Sequence, residues 1–141
     1  MSRAISPLRW ALGLLLSFFI WGLMLGLLAN VEHDLVAAFI ASRPPPAMVI
    51  PFSILMMWLG TGAAFAVAGA TMVLSGVPTR AAVWFAIVLG ALGGLLSALS
   101  YTSGGWRIAA GLGTLATAVV ACVASAHLVK RVRWRGSVRR Q

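Results

Sequence analysis

Four apolar stretches run through this chain, at about residues 10–29, 49–74, 82–101 and 108–129, and each is long enough to cross a membrane as a helix. Roughly 20 residues at ~1.5 Å per residue cover the ~30 Å hydrocarbon core of a bilayer, so these stretches set a span count. Composition agrees with that reading: 61% of the 141 residues are hydrophobic and only 9% are charged, against roughly 25% charged in a soluble domain. The sequence predicts an all-α integral membrane protein, a single transmembrane domain over 1–141 built as a four-helix bundle.

The breaks between stretches have physical causes. Residues 30–48 hold both acidic residues, Glu32 and Asp34, and the run Pro44, Pro45, Pro46, which cannot continue a helix. This segment is read as an exterior loop. Within it Val31, Leu35, Val36, Phe39 and Ile40 keep helical spacing, so 31–42 either extends span 1 or lies in the interface. Pro51 is tolerable near the start of span 2, because the first helical turn needs no partner for that N–H. The turn at 75–80 is short enough to force antiparallel neighbours, and Gly104 with Gly105 signals the last loop. The first stretch has the basic flank of a signal peptide but too long an apolar run, and is expected to stay as an uncleaved span.

Charge sets the expected orientation. Nine of the eleven Lys and Arg residues fall at one end of a four-span bundle, namely Arg3, Arg9, Arg80 and the six from Lys130 to Arg140; Arg43 and Arg107 fall at the other. The positive-inside rule then places both tails, including the basic tail 130–141, on the cytoplasmic side, with a bacterial inner membrane as the default location. Trp10, Trp84, Tyr101, Trp106 and Trp134 sit near span ends, where an aromatic belt belongs.

Small residues recur at four-residue spacing in spans 2 to 4: Gly60, Ala64 and Ala68; Ala86, Gly90, Gly94 and Ala98; Ala109, Gly113, Thr117, Ala121 and Ser125. Such rows let helix backbones approach closely, so Gly60, Ala64, Gly90, Gly94 and Gly113 are expected packing positions. Span 1 is bulkier. Its Gly22 and Gly26 form a lone GxxxG, expected to serve a second copy or a partner helix. Hydroxyls within the spans are expected to bond their own helix or a neighbouring one.

Chemistry is constrained mostly by exclusion. No Asp, Glu, Lys or Arg falls in the central part of a predicted span, which removes the groups that charge-coupled transport, voltage sensing or an intramembrane acid protease would use. No phosphate-binding glycine motif occurs. The single cysteine, Cys122, allows neither an intramolecular disulfide nor a Cys-based zinc cluster. Glu32, His33 and Asp34 are the densest group of potential ligands, yet consecutive helical residues point about 100° apart and do not converge on one ion. They are expected to form an exterior contact to a partner rather than a metal site. His127 is read as an interfacial residue near the end of span 4. Lys130, Arg131, Arg133 and Arg135 are expected to contact anionic lipid, with no nucleic-acid partner.

These features lead to the expectation of a non-catalytic accessory or scaffold subunit of a homo-oligomer or larger membrane complex, with membrane lipids as further partners. No catalytic residue, metal or cofactor is expected. The alternative is a small oligomeric channel or facilitator for a neutral or hydrophobic solute, lined by the hydroxyls of spans 2 to 4. A lipid- or quinone-linked enzyme would have to use Glu32, His33, Asp34 or His127.

Overall fold

The computed structural model describes residues 7–141 and places them in four helices: α1 (Pro7–Ala41), α2 (Pro46–Leu74), α3 (Thr79–Leu99) and α4 (Gly104–Val138). Each is long and apolar enough to cross a membrane. The protein is an all-α, multi-pass membrane bundle. Arg3, counted in the charge bias, lies outside the described residues.

The helices are longer than the apolar stretches. The segment 30–48 is not a loop: α1 runs unbroken to Ala41, and α2 begins at Pro46. The apolar periodicity of 31–42 therefore belongs to an extension of span 1. Pro46 takes the first helical position, where a missing N–H costs nothing. Pro51 then falls inside α2 and removes the bond to the carbonyl of Ala47; both residues are exposed, so that carbonyl is left on an open face. Gly104 and Gly105 open α4 rather than preceding it, and the basic segment after Lys130 stays helical to Val138.

Two tight turns fix the antiparallel pairs. After α2, Gly76 adopts φ 85°, the Gly76 N–H donates to Val73 O at 3.1 Å and the Val77 N–H donates to Met72 O at 2.9 Å. That is the Schellman closure, with its hydrophobic contact supplied by Met72 and Val77, which share the buried core. After α1, Arg43 takes the equivalent left-handed position at φ 55° and donates to Ile40 O at 3.0 Å. Pro44 follows it and has no N–H to make the second bond.

Packing runs in the order α1, α2, α4, α3: α2 lies against α1 and α4, α3 lies mainly against α4, and α2 barely touches α3. The space between α1, α2 and α3 is closed by aromatic rings. Trp21 meets Phe65 at 5.5 Å and Phe85 at 6.1 Å between centroids, and Phe65 meets Phe85 at 6.2 Å, all in edge-to-face arrangements. Around them Ala68, Met72, Ala82, Ala86, Ala118 and Cys122 form the buried core.

Helix lengths make the bundle asymmetric along its axis. With 21 residues, α3 is about 31 Å long and matches a ~30 Å hydrocarbon core. At 35 residues each, α1 and α4 reach about 52 Å and must overhang it. At one end the overhang is the top of the α1–α2 hairpin, tied by Phe39 stacked on Phe52 at 4.0 Å. At the other it is the basic end of α4, where Arg133 donates to Val73 O at 3.3 Å.

Candidate functional site

Most of the small residues are consumed inside the bundle. A Cβ at Gly94 would lie 2.6 Å from Gly111 O, and one at Gly111 would lie 3.2 Å from Gly94 O, so α3 and α4 touch backbone to backbone. Gly90 is held against Ala118 in the same seam. On α2, Ala64 is fully buried and Gly69 faces Cys122 O, 2.5 Å from where its Cβ would sit. Gly113 on α4 lies flat under the Trp58 ring. Gly60 faces α1, where a Cβ added to it would lie 3.7 Å from Leu28 Cβ and 3.8 Å from Glu32 Oε2.

The buried row of α4 is one residue out of step with the row expected for it. Ala110, Thr114, Ala118, Cys122 and Ala126 are buried, while Ala109, Gly113, Thr117, Ala121 and Ser125 are only half-buried. The reason is that α4 lies between two helices. Gly113 and Thr117 face α2, Gly111 and Ala118 face α3, and the row between them is sealed by both.

Polar groups in the spans are mostly spent locally. The hydroxyls of Ser17, Ser53, Thr71 and Ser97 donate to Gly13 O, Val49 O, Val67 O and Gly93 O at 2.7 to 2.9 Å, each one turn back in its own helix. Ser125 does the same to Cys122 O at 3.0 Å. The Cys122 thiol crosses between helices, donating to Ala82 O at 3.6 Å.

Gly22 and Gly26 differ from all of these. Nothing lies within 4 Å of a Cβ built at either. They form the floor of an open groove of about 500 Å³ on the outer face of α1, walled by Phe18, Phe19, Leu23 and Leu27 and closed at one end by Asn30. Gly22, Gly26 and Asn30 follow one another at four-residue spacing and so share one stripe of the helix. All three are exposed, so the Asn30 amide, two donors and one acceptor oxygen, is presented on the outer face of α1. Sequence reasoning assigned Asn30 to a loop and so missed it; the spacing 22, 26, 30 was the available signal.

At the α1–α2 overhang, the three adjacent polar residues are separated rather than gathered. Glu32 turns inward onto α2 beside Gly60, while His33 and Asp34 are exposed. Among the described residues no three His, Cys, Asp or Glu side chains come together as a metal-binding group. Tyr101, in the α3–α4 turn, is the group whose titration reports on this end. Burial first, and then the charge of Glu32, raise its phenol above the ordinary 10.0. Arg107 donates to Tyr101 O across the same turn.

At the opposite end the four basic residues divide. Lys130 donates to Thr79 Oγ1 and Arg133 to Val73 O, so both face the α2–α3 turn, whereas Arg135 lies on the outer side of α4 with Arg139. Arg131 is exposed, one residue round from Lys130, and His127 is exposed one turn earlier. Comparison with known protein families, with characterised proteins and with solved structures finds no match to this chain in any of the three.

Proposed function

We propose that this protein is a non-catalytic subunit that works by helix association within the membrane, assembling with copies of itself through the outer face of α1. The observation that carries this reading is the open surface over Gly22 and Gly26: the other small pairs within the spans seat a neighbour from within the chain, and among the described residues this pair seats none. Asn30 strengthens it. An amide both donates and accepts, so two copies related by a twofold axis can satisfy each other, a contact worth on average ~0.6 kcal/mol in a membrane. A hydroxyl-lined pathway for solute is less well supported, because the hydroxyls of Ser53, Thr71, Ser97 and Ser125 already donate to their own helices, and Thr114, whose hydroxyl has no partner among the described residues, is sealed in the packed bundle.

The Lys and Arg bias supports both tails in the cytoplasm, and a bacterial inner membrane is the default location. A C-terminal topology reporter active only outside the cytoplasm should stay silent. Association is tested by replacing Gly22 and Gly26 together with Leu. The groove is open, so the protomer folds, and the mass of the mildly extracted protein should fall from oligomer to monomer. A parent protein that is already monomeric, or a double variant with unchanged mass, refutes the reading.

A further inference from the structure

A second open cleft, of about 580 Å³, lies at the basic end, where Trp10 of α1 and Lys130, Arg133 and Trp134 of α4 surround the α2–α3 turn. From these residues we infer a discrete binding site for the phosphate headgroup of an anionic phospholipid, independent of the association face on α1. Sequence periodicity alone spreads lipid contact along the whole basic segment. The fold instead selects Lys130, Arg133 and Trp134, which fall on one face of α4 by their three- and four-residue spacing, and leaves Arg135 out of the cleft, in a neighbouring groove that shares only Trp134 with it.

Four observations converge on that ligand. Lys130 and Arg133 each spend one donor, on Thr79 Oγ1 and Val73 O, which fixes their positions and leaves two ammonium N–H groups and four guanidinium N–H groups to bind oxygen. No acidic side chain neutralises them: the chain has only two, Glu32 and Asp34, and Glu32, the nearer, lies roughly 33 Å further along α1 than Trp10 at ~1.5 Å per residue. The cleft sits between the last residue of α2, Leu74, and the first of α3, Thr79, which is the depth where a 31 Å span, to order of magnitude, meets the headgroups. Finally, its walls include the exposed indoles of Trp10 and Trp134, with Val73 and Val77 buried at its base, a lining suited to glycerol and acyl carbons beside the phosphate. A free phosphate ion would use the two cations and leave those apolar walls bare, so the lipid is the favoured source of the anion.

The test uses the full chain, delipidated in a neutral detergent, with phosphatidylglycerol or phosphatidylcholine added and bound lipid counted by native mass spectrometry. One equivalent of phosphatidylglycerol should be retained in preference to phosphatidylcholine. Lys130→Gln with Arg133→Gln should weaken it by about thirtyfold, two cations at about fivefold each, whereas Arg131→Gln with Arg135→Gln removes the same charge and should change it by less than about threefold. Equal losses from the two pairs, or no loss from the first, overturn the site in favour of diffuse attraction. Because the first pair also ties α4 to the turn, Trp134→Ala supplies a separate arm: this ring is 71% exposed, and its removal should weaken lipid without altering the melt. Undiminished binding in that variant counts against the cleft. Displacement of the lipid by millimolar inorganic phosphate would assign the site to the free ion and end the lipid proposal.

Discussion

Two glycine pairs at similar spacing have opposite fates in this molecule. Gly90 and Gly94 lie in a row that also contains Ala82 and Ala86, four turns of small side chains, and α4 comes down onto it until Gly94 and Gly111 touch through their backbones. Gly22 and Gly26 stand alone between Phe18 and Asn30, and none of the four described helices covers them. Lipid tails are as apolar as the side chains they replace, so what draws helices together is close packing over length and polar contact. A four-turn row offers that length to a partner from the same chain. A two-glycine depression ending in an amide offers a short contact that a second copy can complete.

Substitutions should separate the two pairs sharply. Gly94→Leu is expected to have the largest effect, about 3 kcal/mol or more, at the upper end of overpacking because the new side chain meets backbone that cannot give way. A thermal melt of the solubilised protein like that of the parent would remove the claim of backbone contact. Gly13→Leu comes next, at about 1–3 kcal/mol. Its Cβ would lie 2.9 Å from Val77 Cγ2 and 3.0 Å from Ser75 Cβ, where side chains can yield in part.

Replacing Gly22 and Gly26 with Leu should leave the protomer's melt unchanged or raise it, by up to about 1 kcal/mol for each glycine removed from a helix interior. A fall in protomer stability comparable with that of Gly94→Leu would mean the outer face is buried within the chain, and the contrast would collapse.

The smallest effect concerns the approach of α1 to the α3–α4 turn. The chain has one tyrosine, so phenolate absorbance reports Tyr101 alone. Glu32→Gln should lower its midpoint but leave it above 10.0, because burial is the larger cause of the shift and the Glu32 charge the smaller. A raised phenol favours the folded state while protonated, so this contribution is complete below pH 10.0 and is lost as pH climbs through the folded value. A midpoint unmoved by the substitution would place Glu32 away from that turn.

The number of helices and their apolar character were legible in the sequence, because crossing hydrocarbon demands length and composition that a local window already reveals. Their ends were less so. Hydropathy falls where Asn30, Glu32, His33 and Asp34 begin, yet the helix continues, since its backbone bonds do not depend on leaving water; only the proline run stops it. The small-residue rows were visible as rows, but which of them meets a neighbour depends on how the helices are ordered in space. With α4 between α2 and α3, its buried row moves one residue to Ala110, Thr114 and Ala118, and α1 is left at the edge with Gly22 and Gly26 uncovered.

The two candidate surfaces follow the same division. Four-residue spacing could have joined Asn30 to Gly22 and Gly26, because those residues share one helix. Nothing local could join Trp10 to Trp134, which are brought to one cleft only because an even number of crossings returns α4 to the end where α1 starts. Periodicity within a segment is set by the backbone of that segment and is readable from it. Contact between segments is settled by packing, and only the folded bundle decides it.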